Sequence, residues 1–522
     1  MDYLALAFAL LLPWLAATLW LQILWRGPQP RQLPQHTTAG RWPMLLGYGY
    51  ILGALLSAAL LYFTGISGLP LSVWPALLVI SLFAFGAVWL IRNPSALPIL
   101  APQQAAQHHS GLNPQTAQSE TDASLRDTAV SPSVHASPPS HASSSEQGMT
   151  PGRTALPQTQ STMPAWQWVI FTALLISVGI RLTGLALELW WQPLFPWDAW
   201  TTWGVRARVW TELHSLVPFI APEVWLADPD SPAYTIEAYD YPLTVSLLAA
   251  WPALAYGDWN ESVAKLPWLG CALALALAFY GQVRRWGGSP LAAMIFIWGL
   301  FSLPLLNSHI ALAGYADLWM ATLVGLAFMA FAHWARARVW RDGLLAVVLV
   351  ICLPLIKEEG AVWAALFLPA LIAYWLPSRW WLVIAAVALG AVLLALVATD
   401  LEQVLPMLNG FTLEYQGAWR PIWEHLFVRS SWHLFAMLML LTLTLAIVQE
   451  LLGITPQPQY RSALAWVLAV LTGFYILFFW TVAAQWAAMG TSINRVLIQF
   501  VPAFIFWMYI TFSISWSVFG KR

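Results

Sequence analysis

The residues in this chain that could do chemistry are ionisable side chains set among tryptophans. The stretch "LFPWDAWTTWGVRARVW" (194–210) places Asp198 two residues after Pro196, at the start of a predicted amphipathic helix. A carboxylate there could take a proton from a reacting hydroxyl. It could equally cap the helix, with the tryptophans lying at a membrane interface. Arg206, further along, could contact a phosphate or extend toward lipid headgroups.

Two later motifs also combine acids with aromatic residues. "EAYDYPL" (237–243) contains Asp240 and Tyr241, and "GYADLWM" (314–320) begins a hydrophobic run with Asp317. We predict that these side chains bind a substrate or an acceptor. The alternatives are turn chemistry for Asp240 and a favourable helix-dipole position for Asp317.

Three cations complete the candidate set. "LPLIKEEGAVW" (353–363) places Lys357 and Glu358 where two apolar segments meet, and a lysine is an effective point charge for phosphate. Arg420 and Arg495 precede later hydrophobic runs. We predict Lys357, Arg206, Arg420 and Arg495 as phosphate-binding groups and Glu358 as a substrate-binding group. A structural Lys–Glu pair and an interfacial Arg495 remain as alternatives.

The elements that position these residues are predicted to be transmembrane helices. The 522 residues are 59% hydrophobic and only 9% charged, and apolar runs of about 17–25 residues recur along the chain. The predicted fold is therefore an all-α polytopic membrane protein with about 13 spans. These are 3–25, 42–64, 72–92, 166–190, 266–283, 291–306, 316–334, 343–356, 360–377, 380–398, 432–452, 462–484 and 495–517.

The chain divides into three predicted regions. Residues 1–92 form a three-helix membrane unit, 93–165 a cytoplasmic linker, and 166–522 the main membrane domain. The linker is rich in Ser, Pro, Gln, Ala and Thr, and too few apolar residues are present to offset the entropy of ordering. It is therefore predicted to be disordered.

Basic residues in the short loops predict the orientation, because such loops stay cytoplasmic. The segment 241–257 has about 15 apolar residues and contains Pro252, which favours an interfacial or re-entrant helix over a span. Every basic loop is then cytoplasmic, and one large external loop with interfacial helices covers 191–265. The candidate residues gather on this external face, where costly ionisable groups mark a functional cavity.

Composition and motifs exclude several classes of protein. The net charge of −1 leaves no basic surface for nucleic acid, and the two cysteines lie in separate apolar runs. P-loop, nucleophile-elbow and zinc-ligand motifs are absent. The sequence predicts no specific cofactor and leaves a divalent cation open.

In these motifs the chain resembles the GT-C superfamily of polyprenyl-phosphate-sugar-dependent membrane glycosyltransferases. In that superfamily the first large external loop opens with an acidic residue, and "FPWDAW" is similar in placing Asp198 there. "YDYPLTVSLLAAW" and "GDWNESVAKLPWLG" follow in the same order, and "GYADL" and "KEEG" look like elements of a bacterial subgroup. The likeness covers about 166–517 and is nearest to the protein O-mannosyltransferase and lipid A aminoarabinose transferase branches. Ala199 stands where the mannosyltransferases have a second acid, and their doubled proline is missing.

The resemblance implies an inverting enzyme at the outer face of a bacterial inner (plasma) membrane. Asp198 would be the catalytic base, and the partners would be a polyprenyl-phosphate-linked sugar, a lipid, glycan or protein acceptor, and membrane lipids. The alternatives are a lipid-linked glycan polymerase or ligase, and a transporter or lipid flippase. A polymerase or ligase is expected to carry an arginine-rich external loop, and a transporter internal repeats; neither is seen.

Overall fold

The computed structural model describes residues 2–26, 39–93, 163–228, 230–377, 380, 390, 415–455, 457–490 and 492–519, with side chains to residue 514. The predicted linker, 93–165, and the predicted span 380–398 lie almost entirely outside the described residues. The described part is helical apart from one short pair of strands, in agreement with the predicted all-α membrane class.

The N-terminal helices are α1 (Asp2–Leu24), α2 (Arg41–Ile66) and α3 (Val73–Arg92), and α4 (Ala165–Trp191) follows the linker. The predicted external loop contains a π-helical turn (Ala199–Gly204), α5 (Val205–Leu213), β1 (Phe219–Ile220), α6 (Pro222–Ala227), β2 (Tyr234–Thr235) and α7 (Thr244–Tyr256). The two strands pair in parallel, Phe219 opposite Tyr234 and Ile220 opposite Thr235.

The central helices are α8 (Glu261–Trp286), α9 (Pro290–Phe301), α10 (Pro304–Ala311), α11 (Asp317–Ala337), α12 (Trp340–Ile356), α13 (Gly360–Ala365) and α14 (Phe367–Trp375). The C-terminal part contains α15 (Trp419–Trp423), a second π-helical turn (Glu424–Val428), α16 (Phe435–Leu451), α17 (Pro458–Trp480), α18 (Ala483–Ala488), α19 (Ile493–Ile498) and α20 (Val501–Phe519).

Within the described residues, seven helices are long and apolar enough to cross a membrane: α1, α2, α3, α4, α8, α11 and α17. The pair α9 and α10 adds an eighth crossing if the two helices, bent by 71° at their break, form one span. The segments α13–α14, α16 and α20 are shorter apolar helices, and α12 has 17 residues. The protein is therefore membrane-embedded, and the number of 13 spans stays a prediction.

Helix α7 corresponds to the segment that was predicted not to span. Its 13 residues are too short to cross the hydrocarbon core as a helix. Residues 245–255 are all buried, and α1, α2, α5 and α8 pack around them. The helix therefore lies inside the bundle and is not an interfacial helix on its surface.

The N-terminal unit shares the hydrophobic core of the main domain. Helix α2 packs along α8, and the Tyr48 hydroxyl donates a hydrogen bond of 2.7 Å to the Leu326 carbonyl of α11. The Trp251 indole of α7 donates to the Ala9 carbonyl of α1 at 2.9 Å. Helices α1 and α2 thus cover the inner side of α7 and α8.

Helices α8 and α11 run parallel and define two ends of the bundle. At one end the Trp268 indole donates to the Tyr315 carbonyl at 2.6 Å, and at the other Arg336 donates to the Trp286 carbonyl at 2.6 Å. The 21 residues of α11 separate the two ends by about 30 Å. We call the first the acidic end and the second the basic end, since the latter holds Arg41, Arg285, Arg336, Arg341 and Arg461.

Candidate functional site

Five ionisable side chains from distant parts of the sequence form one ion-paired cluster at the acidic end. Its members, which we call the charge cluster, are Asp198, Asp317, Lys357, Glu359 and Arg495. Four of the five were predicted as site residues. The exception is Glu359, the second acid of the "KEEG" element, for which no role was predicted.

Asp317 lies at the centre of the cluster with no exposed surface. Its Oδ2 accepts a hydrogen bond from Arg495 Nε at 2.8 Å, and its Oδ1 lies 3.5 Å from Lys357 Nζ. Oδ1 also accepts from the Gln499 amide at 2.9 Å. A fully buried carboxylate requires partners of this kind, because an unpaired buried charge is strongly unfavourable.

Arg495 joins the buried centre of the cluster to its exposed rim. Its Nη1 donates to Asp198 Oδ2 at 2.6 Å, and its guanidinium lies over the Tyr315 ring, 4.5 Å from the centroid. Burial disfavours the charged guanidinium, but Asp317 and Asp198 outweigh that effect and raise the pKa of Arg495 above its ordinary value. Arg495 is therefore a fixed cation at the site.

Lys357 lies at a break between two helices. Helix α12 ends at Ile356 and α13 begins at Gly360. The three charged residues between them, 357–359, therefore belong to neither helix. Lys357 Nζ lies 2.6 Å from Glu359 Oε1. Burial lowers the pKa of Lys357. The negative charges of Asp317 and Glu359 raise this pKa by a larger amount, so the net shift is upward. The predicted break between the two apolar segments thus positions Lys357 in the charge cluster.

Gln499 and Trp363 tie the two sides of the cluster together. The Gln499 amide nitrogen donates to Asp317 and, at 3.2 Å, to Glu359 Oε1. Its amide oxygen accepts from the Trp363 indole at 2.7 Å. Gln499 carries no charge, so no sequence pattern singled it out.

Asp198 is the most exposed member, with 36% of its side chain accessible. It directly precedes the π-helical turn, yet its carboxylate makes no capping hydrogen bond. The capping alternative is therefore not what the structure shows. The side chain points instead to Arg495, which follows it by 297 positions in the sequence.

The motif that opens α8 fixes the chain leading to Asp198. Glu261 Oε2 accepts from the Leu194 backbone amide at 2.6 Å, and the Ser262 hydroxyl donates to the Trp190 carbonyl at 2.6 Å. Lys265 Nζ donates to the Gln192 carbonyl. Asn260 caps the helix by accepting from two amides of its first turn. These residues position the loop that carries Asp198.

Arg206 has a structural role that differs from the predicted one. It is fully buried, and its two Nη atoms donate to the carbonyls of Tyr241 (2.7 Å) and Ala238 (2.5 Å). Burial lowers the pKa of Arg206 to about 10, which leaves it charged at neutral pH. It organises the Ala238–Tyr241 turn and does not reach the charge cluster.

That turn brings Asp240 and Tyr241 to the rim of the cluster. Tyr241 stacks on Trp203 with 5.4 Å between the ring centroids. Burial raises the pKa of Tyr241, and the charges of Lys357 and Glu359 act on it as well. Asp240 is exposed, and its charge acts on Glu358.

Neither Glu358 nor Arg420 forms an ion pair with a member of the charge cluster among the described residues. Partial burial, Asp240 and Glu359 raise the pKa of Glu358, which is consistent with a place at an acidic rim. The Arg420 side chain is 89% exposed and pairs with Glu424 at 2.8 Å. The prediction that Arg420 contributes to the same site as Lys357 is therefore not supported.

His309 of α10 is a further neighbour that the sequence did not single out. It is buried, and its Nδ1 lies 2.9 Å from the Leu305 carbonyl, so Nδ1 carries the proton. Its Nε2 lies 4.0 Å from Asp317 Oδ2 and has no hydrogen-bond partner among the described residues. The imidazole thus packs against the buried carboxylate without binding it.

A second buried polar network lies at the basic end. Arg285 and Asp342 form two parallel hydrogen bonds of 2.9 Å, and Gln282 joins Arg285 to Tyr48 of the N-terminal unit. Its side chains are all paired inside the bundle, which indicates a structural role.

No group of three or more His, Cys, Asp or Glu side chains within the described ranges is arranged to hold a metal ion. The site can supply a partly exposed carboxylate on one fixed cation, Arg495, with a second cation, Lys357, on the buried Asp317 that both cations share. This arrangement is suited to an anionic ligand and a transferable proton. Comparison of the chain with protein-family models, curated proteins and solved structures gave no match.

Proposed function

We propose that this protein is an inverting membrane glycosyltransferase of GT-C type that uses a polyprenyl-phosphate-linked sugar. The observation that carries the proposal is the charge cluster itself. A one-third-exposed carboxylate, Asp198, lies 2.6 Å from the guanidinium of Arg495, which the fully buried Asp317 holds in place. Lys357 lies 3.5 Å from the other oxygen of Asp317. A proton acceptor and a site for a phosphate leaving group are thus adjacent.

In the proposed reaction Asp198 takes the proton of an acceptor hydroxyl. The acceptor oxygen forms a bond to the anomeric carbon from the face opposite the phosphate, and the bond between that carbon and the phosphate oxygen breaks. The electron pair leaves with the polyprenyl phosphate. Arg495 and Lys357 stabilise the charge that develops there, and such stabilisation is usually a large catalytic contribution.

The neighbouring residues have supporting roles in this proposal. Tyr241, Asp240 and Glu358 lie at the rim of the cluster and would orient the sugar or the acceptor. Arg206 holds their turn, and Arg420 has no part in the reaction.

The distribution of charge supports an outward-facing site. The arginines of the basic end lie about one helix length from Asp317, and basic residues favour the cytoplasmic side. The charge cluster would then face the periplasmic side of a bacterial inner membrane, where a lipid-linked sugar and a water-side lipid, glycan or protein acceptor can meet.

The proposal is tested with purified protein in nanodiscs and a pool of radiolabelled polyprenyl-phosphate sugars. The wild type should release polyprenyl phosphate and label an acceptor. Asp198→Asn should lower turnover about 10²–10⁴-fold, because the base is lost. The matched control is Glu424→Gln, which removes a carboxylate of similar exposure, 35%, from the Arg420 pair. Full turnover by well-folded Asp198→Asn would contradict the assignment.

A second candidate, a transporter or flippase of an anionic lipid, is favoured by the helix breaks. Helices α9 and α10 meet at 71°, and Lys357–Glu359 interrupt the path from α12 to α13. Discontinuous helices that present ends to a charged site are common in transporters. The same labelled lipids distinguish the two functions, since a flippase moves them between leaflets of a vesicle without cleaving the sugar–phosphate bond.

A further inference from the structure

Arg495 is held at one end by a buried carboxylate and at the other by an exposed one. We infer that the donor phosphate and Asp198 compete for the Nη end of Arg495, so that phosphate binding releases the base. This inference rests on the proposed function and assigns an order to it: the lipid-linked sugar binds first, and Asp198 becomes free to accept a proton only then.

The Nε end of Arg495 is anchored. Its acceptor, Asp317 Oδ2, belongs to a carboxylate with no exposed surface whose other oxygen is held by Gln499 and Lys357. The Trp363 indole in turn holds Gln499. Breaking this end would leave a buried charge unpaired, which is costly, so the guanidinium keeps its place when ligands exchange.

The Nη end is open to exchange. Asp198 Oδ2 is bound to Nη1, and this is the one hydrogen bond of the Asp198 side chain among the described residues. The Nη2 atom of Arg495 has no hydrogen-bond partner among the described residues. A partly exposed ion pair of this kind is worth little in water, because both groups can be solvated. A phosphate that approaches Nη2 therefore meets a weakly held competitor.

Electrostatics favours exchange over joint binding. A phosphate between Arg495 and Lys357 would lie beside Asp198 and Glu359, each already paired with one of these cations. Arg495 already holds two carboxylates, Asp317 and Asp198, so a phosphate would be a third anion on one guanidinium. Of the two carboxylates, Asp198 is the partly exposed one and can turn toward solvent. Its carboxylate would then point into the space where an acceptor hydroxyl arrives.

The test measures the affinity for polyprenyl phosphate in nanodiscs made without anionic lipid. If Asp198 competes, Asp198→Asn should bind polyprenyl phosphate about 2- to 6-fold more tightly than the wild type, because the fraction of free Arg495 rises when a weak ion pair is removed. Asp198→Ala should shift the affinity in the same direction. Glu424→Gln removes an ion-paired carboxylate of the same exposure outside the cluster and should leave the affinity unchanged. Thermal midpoints verify that each variant is folded.

The outcomes separate the two proposals. If the wild type binds polyprenyl phosphate but both Asp198 variants bind equally or more weakly, competition is disproved and the proposed function stands. If folded wild type does not bind polyprenyl phosphate, both proposals fail. A parallel titration with inorganic phosphate identifies the ligand: a gain for inorganic phosphate alone would overturn the lipid assignment, and a gain that includes the lipid supports it.

Discussion

At the residue scale, one buried carboxylate determines how the site is built. One oxygen of Asp317 pairs with Arg495 and the other with Lys357. Among the described residues, neither cation pairs with a second fully buried acid. The sequence showed Asp317 as an acid in the first turn of a span. Only its burial shows that it is the centre of the cluster.

Replacement of Asp317 should therefore cost more than replacement of an exposed acid. Asp317→Asn leaves two cations close together without a shared anion, and we expect a loss of about 3–5 kcal/mol in the free energy of unfolding. The measurement is thermal or denaturant unfolding in detergent micelles. Glu212→Gln, which breaks the exposed Arg208–Glu212 pair, is the control and should lower stability by less than about 1 kcal/mol. Equal losses would contradict a central role for Asp317.

The raised pKa of Glu358 should lower the stability of the folded protein in a pH-dependent way. Partial burial, Asp240 and Glu359 disfavour its ionised form in the folded protein, whereas the unfolded chain ionises near pH 4.5. The penalty is absent below that pH and is fully present once the pH exceeds the raised folded pKa. Glu358→Gln should thus raise the thermal midpoint at pH 7, with no difference from the wild type at pH 4. A difference that grows as the pH falls would reverse this prediction.

At the element scale, close contact between α2 and α8 attaches the N-terminal unit. A Cβ on Gly47 would overlap the Ala274 carbonyl and the Ala278 side chain. Small residues are common where membrane helices approach closely, because packing rather than hydrophobic transfer holds them together. The sequence motifs leave residues 1–92 without a role, whereas the structure places buried side chains of α1 and α2 in the shared core.

Gly47→Leu should separate α2 from α8. We expect a lower thermal midpoint and a smaller monodisperse fraction in size-exclusion chromatography, since overpacking costs about 1–3 kcal/mol or more. Gly184→Leu on α4 is the matched control, because a Cβ at Gly184 meets no atom within 4 Å. If both variants behaved alike, the α2–α8 contact would not limit stability.

At the scale of the whole molecule, the N-terminal unit and the main domain are expected to fold as one body. Their shared contacts include the Tyr48–Leu326 and Trp251–Ala9 hydrogen bonds, and the inner surfaces of α7 and α8 depend on α1 and α2 for cover. A chain that starts after the linker would expose those surfaces.

Two separate chains divided within the predicted linker should therefore assemble. Co-expression of residues 1–110 and 150–522 should give a complex that purifies together through a tag on either chain. Expression of 150–522 alone should give aggregated or degraded protein. If that chain is stable and monodisperse by itself, the two regions are independent domains.

The sequence by itself determined the membrane class, the long spans and the residue types of the site, because hydrophobic length and charge are local properties of the chain. It indicated that Asp198, Asp317, Lys357 and Arg495 share one face. It could not show that Asp317 holds the two cations, that Arg206 binds backbone carbonyls, or that Arg420 is exposed and pairs with Glu424. These facts depend on which helices pack together, and packing joins residues up to 297 positions apart. Only the tertiary structure could decide them.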